Sequence, residues 1–342
     1  VANIVVIGAG KIGSVIYEYL KETEHKIFLI DDVKNSNITR IDANNSAQLK
    51  EFFNNSQADI CVSAAPYNIN IGIADVCAET KVAYFDLTED TEVCQYIKNL
   101  NTSIFMMPQC GVAPGAVNII AADLIKQFDS VDKVKMRVGA LPMYTTNSMA
   151  YYLTWSTSGL INEYVNEVDV ISNSKHIKAQ PLDGLEQIYL DGDRYEAFNT
   201  SGGVATMCET YQGQVSSLSY KTIRYPGHQT SMKFLLDDLN LKHNKQKFID
   251  LFDQEVPYTT QDVVVILINV VGRINGKYQE KSYCKKIYGD QKYNAIQRTT
   301  ASGVCSLVLA YADGKLQGQG FQRQEDVPLN TFLGNRFGEL YG

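Results

Sequence analysis

Over its first 128 residues the chain alternates short apolar runs with stretches whose apolar residues recur at helical spacing. The runs 3–7, 26–30, 38–41, 59–63, 82–85 and 104–107 read as buried strands. Between them Val15, Ile16, Tyr19 and Leu20 share one helical face, as do Leu49, Phe52 and Phe53, and further helices are predicted over 68–80, 90–99 and 117–128. Such strict alternation implies a parallel, doubly wound α/β sheet over 1–128. The pattern then changes. Over 129–293, runs at 134–140, 150–155, 168–171, 187–190, 218–225 and 263–273, many alternating and tyrosine-rich, read as strands, with helices over 229–239 and 243–254. This predicts an α+β second domain around a mixed or antiparallel sheet. Residues 294–313 regain helical spacing and stop at Gly314, and the segment 294–342 is expected to return to the first domain.

Composition narrows the function classes. With 31 basic and 38 acidic residues, a formal charge of −7 and no long basic run, the chain is not built for a nucleic-acid partner. Its longest apolar stretch, 263–271 (VVVILINVV), is far short of the ~20 residues that a membrane helix needs, so no membrane partner is expected. The start of the sequence lacks the basic region of a signal peptide and runs straight into a glycine-rich turn. Seven cysteines form no C-x-x-C pair and four histidines are scattered, which suggests neither disulfide framework nor metal site. A reduced, cytoplasmic protein fits these features.

The glycine-rich turn carries the first specific chemistry. Gly8-Ala9-Gly10-Lys11-Ile12-Gly13 joins the first strand to the first helix as a dinucleotide fingerprint requires. Gly8 permits the tight turn, Gly10 the approach of a pyrophosphate, and Gly13 close helix–strand packing, while the helix N-terminus supplies unpaired N–H groups. Asp31 ends the second strand at the spacing expected for a carboxylate that accepts hydrogen bonds from both ribose hydroxyls and repels a 2′-phosphate. Asp32 follows and no arginine adjoins it in sequence, so NAD is expected rather than NADP. In doubly wound sheets ligands sit beyond the carboxyl ends of the strands. Those ends are Gly8, Asp31, Asp42, Ser63 to Pro66 (including Ala64 and Ala65), Asp86 and Cys110.

Three further segments have a more particular character: 108–118 (PQCGVAPGAVN), 153–164 (LTWSTSGLINEY) with 196–210 downstream, and 221–228 (KTIRYPGH). In this order they are similar to the C-G-x-x-P-G, S-x-x-G-x-I-x-E-Y and K-T-x-R-Y-P-G-H segments of the saccharopine dehydrogenase family. The chain most resembles that family's NAD-dependent, lysine 6-dehydrogenase-like branch. The resemblance implies hydride transfer between nicotinamide and a carbon bearing an amino nitrogen, a small amino-acid substrate and a homodimer. Lysine and saccharopine are both candidate substrates. A carboxynorspermidine dehydrogenase-like enzyme and a non-catalytic NAD-binding regulator are the alternatives on the same fold.

Within that frame Arg224 is the expected clamp for a substrate carboxylate, because a guanidinium pairs bidentately with a planar anion; the plain alternative is a structural strand arginine. His228 is a candidate proton shuttle with a pKa naturally near neutrality, or else a helix cap. Lys221 is a candidate to orient substrate or, if buried, to act as a base; the plain alternative is an exposed strand lysine. Asp86 is placed to hold ribose or a substrate ammonium. Cys110 and Gly111 are expected to line the pocket, without an activated thiolate. Glu163 and Glu209 are weaker acid/base candidates, and Tyr151, Tyr152 and Trp155 read as core or interface.

Overall fold

The computed structural model describes residues 1–33 and 38–342, and the chain divides into two compact units. The first comprises Val1–Ile119 and Gln297–Gly342, and the second Ile120–Ile296.

The first unit is a parallel sheet built from β1 (Asn3–Ile7), β2 (Lys26–Asp31), β3 (Thr39–Arg40), β4 (Ile60–Ser63), β5 (Ala83–Asp86) and β6 (Phe105–Met107). In space they run β3-β2-β1-β4-β5-β6, and the short strand Gly320–Phe321 extends the sheet in parallel beside β6. Strand order reverses at β1, so the β1–β4 boundary is a topological switch point. Residues of β1, β4 and β5 are almost fully buried, because βαβ crossovers cover both faces of the sheet. Helices Gly13–Lys21, Ser46–Ser56, Asn70–Thr80 and Thr91–Asn99 supply those crossovers. Asn45 and Asp90 cap the second and fourth of them through side-chain bonds to Gln48 N and Val93 N. The helix Ala295–Ala312, the expected return element, lays Gly303 on the β6 loop: a Cβ there would come 2.7 Å from Gly111 O.

The second unit is a mixed eight-stranded sheet. Its strands are β7 (Ser130–Pro142), β8 (Val168–Ser172), β9 (Lys175–Ala179), β10 (Glu186–Leu190), β11 (Asp193–Asn199), β12 (Val215–Arg224), β13 (Asp262–Ile274) and β14 (Lys277–Tyr288). The main path runs β10-β11-β12-β7-β13-β14; β12 and β7 are parallel and the other pairs antiparallel, with the β8–β9 hairpin attached to β12. The apolar run 263–271 is the heart of β13, flanked on both sides by β7 and β14. The sheet curls, so that Lys286 of β14 reaches Asp191 in the β10–β11 turn at 2.9 Å. Helices Thr157–Val165, His228–Lys233 and Lys245–Glu255 surround a separate cluster of Tyr151, Leu160, Tyr164, Phe198, Met232, Phe248 and Phe252.

Two expectations need correction here. The run 150–155 is not a strand: only Leu153 makes an isolated bridge, to Tyr258, while the side chain of Asn147 takes both backbone groups of Tyr151. Its alternating apolar residues insert into the helix-covered cluster instead. Strands β9 and β14 escaped the hydrophobic pattern because their lengths are rich in charged and exposed residues, and β11, though buried over 195–198, because Asp193, Arg194 and Glu196 interrupt its apolar residues.

Candidate functional site

In the first unit the three fingerprint glycines have different physical reasons. Gly8 has φ +95°, and a Cβ there would lie 2.9 Å from Ala64 O, so the turn itself demands glycine. A Cβ on Gly13 would sit 1.8 Å from Gly8 O, so the helix packs on the turn only without one. Gly10 has neither a positive φ nor any atom within 4 Å of an added Cβ. The fold does not need glycine there, whereas a pyrophosphate approaching the backbone does. The turn is fastened by Gly8 N to Ile30 O at 2.9 Å and by Ser14 Oγ to Ala9 O at 2.8 Å. Ala64, whose N–H donates to Ile7 O, backs the turn from the end of β4, with Ala65 and exposed Pro66 following. Lys11 is exposed, and its carbonyl accepts from Gln297 Nε2 at 3.0 Å; Ile12 opens the helix without a side-chain cap.

Asp31 accepts from Ala9 N at 2.6 Å and from Val33 N at 3.0 Å. Partial burial raises its pKa, but these backbone donors outweigh that and leave the carboxyl below its ordinary value. Asp42 is exposed and accepts from Asn44 N at 2.9 Å, which makes it a turn residue after β3. The sequence expectation of no arginine beside Asp31 fails in space: Arg40 of β3 is the register partner of Asp31, and its Nε donates to Asp32 O at 3.0 Å. Parallel pairing brings together residues nine positions apart in sequence.

Asp86 is fully buried at the end of β5 and saturated with donors. Gln109 N at 2.8 Å and Thr88 N at 3.0 Å donate to Oδ1, and the Tyr84 hydroxyl at 2.8 Å donates to Oδ2. Burial pushes its pKa up to about 6 despite these bonds. Its carboxylate therefore ties β5 to the β6 loop, where Gln109 has φ +67°, instead of standing free for ribose or substrate. Cys110 is also fully buried; its thiol donates to Met107 O at 3.0 Å, and burial drives its pKa well up, so it is not activated. Gln324 Nε2 donates to Pro108 O and lies 3.6 Å from Cys110 Sγ. Gly111 and Gly115 close the loop on themselves: a Cβ on Gly115 would meet Gly111 O at 2.1 Å.

In the second unit β12 ends in a buried cluster. Arg224 is 2% exposed; Nε donates to Tyr164 OH at 2.9 Å and Nη1 to Ile223 O at 2.9 Å, and the guanidinium lies 5.2 Å from the Tyr151 ring centroid. Its Nη2 has no hydrogen-bond partner among the described residues. The acidic neighbour is Glu163, whose carboxyl burial raises to about 7 against the pull of Arg224 and a hydrogen bond from Thr222. A buried guanidinium thus lacks a fully committed counter-charge. His228 is fully buried, with Nε2 3.0 Å from Tyr164 OH and Nδ1 3.1 Å from Met149 O. The expected near-neutral titration does not hold: burial, and then the charge of Arg224, press its pKa down to about 3. Nor does His228 cap its helix. Glu196 does so from β11, accepting from Gly227 N at 2.9 Å and Gln229 N at 2.6 Å, while Gly227 takes the φ of +97° that the turn requires.

Lys221 is three residues from Arg224 on the same strand and therefore on the opposite face. There it donates to Gly184 O and lies 3.6 Å from Glu186. Burial raises the pKa of Glu186, yet Arg137 at 2.6 Å, Lys221 and Lys135 bring it down to about 2. Burial lowers Lys221 against the pull of Glu186. Glu209 is exposed. The structure thus joins Arg224 and His228, adds Tyr164, Tyr151 and Glu163, and separates Lys221 from all of them.

Two family models match the chain: the saccharopine dehydrogenase NADP binding domain over residues 4–109, and the saccharopine dehydrogenase C-terminal domain over residues 111–339. The chain belongs to the saccharopine dehydrogenase family. It is accordingly an oxidoreductase of that family, with a nicotinamide dinucleotide cofactor. Among solved structures, apo saccharopine dehydrogenase (L-Glu forming) from Saccharomyces cerevisiae has a TM-score of 0.80 at 13% identity, over 98% of this chain and 97% of that one. Homospermidine synthase from Legionella pneumophila, solved with NAD, has a TM-score of 0.65 at 13% identity, over 99% of this chain and 89% of that one. The C. glutamicum DAP dehydrogenase has a TM-score of 0.51 at 10% identity, over 99% and 98%. At such identities these likenesses concern the fold.

In this saccharopine dehydrogenase family member, sequence reasoning missed Tyr164, Glu196 and Arg40. Tyr164 lies in the family-like 153–164 stretch, but only a folded helix sets it against β12. Glu196 and Arg40 act through neighbouring strands, where sequence spacing carries no signal.

Proposed function

We propose that the protein is an NAD-dependent dehydrogenase acting at a carbon–nitrogen bond of a lysine-pathway amino acid, with lysine as the first candidate substrate. The observation that carries this reading is the buried Arg224, whose Nη2 has no hydrogen-bond partner among the described residues and whose acidic neighbour Glu163 is pushed by burial towards its neutral form. A substrate carboxylate supplies the missing counter-charge. With Lys221 on the other face of the sheet, Arg224 is the one cation of its cluster among the described residues, which suits an amino acid with one carboxylate better than saccharopine with three.

In this reading Gly8, Gly10 and Gly13 cradle the pyrophosphate of the dinucleotide and Asp31 holds its ribose, and the bound nicotinamide supplies the hydride acceptor. Asp86 keeps the β5 and β6 ends in register beside it, and Cys110 stays an inert thiol. NAD is preferred because Asp31 is held ionised by backbone donors, although Arg40 stands near enough in register to favour a 2′-phosphate were its side chain to turn. A homodimer, measurable by light scattering, and a cytoplasmic setting, with none of the seven cysteines in a disulfide, belong to the same reading.

The clamp is tested by steady-state kinetics with lysine and NAD. Arg224→Ala is expected to raise KM for the amino acid ~10- to 100-fold and leave NAD affinity alone, as loss of a charge-assisted bond predicts. Lys221→Ala is expected to leave KM unchanged. A wild-type KM in Arg224→Ala removes the clamp.

A further inference from the structure

We propose that Tyr164 and His228 form a hydrogen-bonded rail that fixes the plane of the Arg224 guanidinium, and that they act on the substrate carboxylate only through it. The inference rests on Arg224 being the carboxylate clamp. Its geometry is directional from one end to the other. The carbonyl of Met149 can only accept, so His228 Nδ1, at 3.1 Å, carries a hydrogen. The ring is buried beside a guanidinium and is neutral, so Nε2 holds the lone pair. The Tyr164 hydroxyl, 3.0 Å away, must therefore donate to Nε2. That turns the oxygen lone pairs of Tyr164 to Arg224 Nε at 2.9 Å. The rail thus runs Arg224 to Tyr164 to His228 to Met149, each group donating once to the next.

Its effect on Arg224 is specific. With Nε held by Tyr164 and Nη1 by Ile223 O, two of the three guanidinium nitrogens are fixed and the planar group cannot rotate. Both N–H groups of Nη2 and the second N–H of Nη1 remain for an incoming oxygen. The rings are themselves held: Phe198 stacks on His228 at 6.3 Å and 10°, and Tyr151 packs on its other side at 4.9 Å. The charged group that acts on the imidazole is Arg224, and the titratable side chains packed against it are Tyr151 and Tyr164. The guanidinium opposes an imidazolium, so a proton relay through His228 is disfavoured where a fixed acceptor is not. The buried chain explains why a histidine, which packs no better than an apolar residue, stands in an aromatic core.

Nitrogen-detected NMR of the full chain tests the rail without any ligand. The wild type is expected to show His228 as the Nδ1–H tautomer throughout pH 5.5 to 8, and an Arg224 Nε–H protected from exchange. Tyr164→Phe, a conservative change, is expected to lose that protection. With lysine and NAD, Tyr164→Phe and His228→Ala are each expected to raise KM by about tenfold with kcat within about twofold, and the double variant to be no worse than either single. The pH profile is expected to keep its shape in all three. An Arg224 Nε–H that stays protected in Tyr164→Phe overturns the rail. So does a kcat loss in His228→Ala that removes a limb of the pH profile, since it makes His228 a proton-transfer group. If Arg224→Ala leaves KM unchanged while the NMR result stands, the clamp has failed and the rail has not.

Discussion

At the scale of single residues, the structure separates the glycines that the fold needs, Gly8 and Gly13, from Gly10, which it does not. Gly13→Ala puts a Cβ against Gly8 O and is expected to destabilise the protein by ~2 kcal/mol or more, measured by denaturant unfolding. Gly10→Ala meets nothing and is expected to leave stability within ~0.5 kcal/mol while weakening NAD binding, measured by calorimetry. Equal stability losses in the two variants contradict this division. Asp31→Ala is expected to weaken NAD binding and narrow the preference over NADP, and Arg40→Ala to widen it. An unchanged coenzyme ratio in both variants removes the pair from coenzyme selection. His228 offers a pH test with a definite sign. Its folded pKa, about 3, lies below the ordinary 6.5, so its contribution is complete above pH 6.5 and is lost as pH falls towards 3. Replacing it by Asn should make stability less steep between pH 4 and 6 by ~1.4 kcal/mol per pH unit. An unchanged slope means that the imidazole titrates alike in both states.

At the scale of elements, the helix Ala295–Ala312 carries glycine onto the β6 loop and begins at a cap that sequence alone does not reveal. Asp262, 1% exposed at the start of β13, accepts from Ala295 N at 2.5 Å and Ile296 N at 3.0 Å. Asp262→Ala is expected to cost ~1–2 kcal/mol, read as a lower denaturation midpoint. A midpoint unchanged from wild type means that the helix start is held otherwise. The alternation of strands and helices in the first unit was readable because the central strands β1, β4 and β5 are buried on both faces while crossover helices such as Gly13–Lys21 are buried on one. In the second unit legibility failed at the edges. β14 is paired on one side by β13, and only Ile287 of its residues is buried, so no apolar period marked it. The run 150–155 failed for the opposite reason, since its period belongs to a loop that inserts Tyr151 and Leu153 into a core.

At the scale of the whole molecule, the sequence was most informative where function is local in the chain. The Gly8–Gly13 turn and the Lys221–His228 segment could be read as motifs because their residues act within a few positions of each other. It was least informative where function is assembled across elements. Asp86 and His228 looked like free chemical groups and are instead saturated or neutral inside the fold, which burial decides and sequence does not encode. The face to which a strand residue points also separates Lys221 from Arg224 although only two residues lie between them. The central claim is therefore best tested on the intact chain. The purified protein is mixed with NAD or NADP and, in turn, lysine, saccharopine and other diamino compounds, and reduced nicotinamide is followed by absorbance. The account predicts NADH with lysine, accompanied by ammonia and faster than with NADP. NAD binding with no reduction by any of these amines contradicts it.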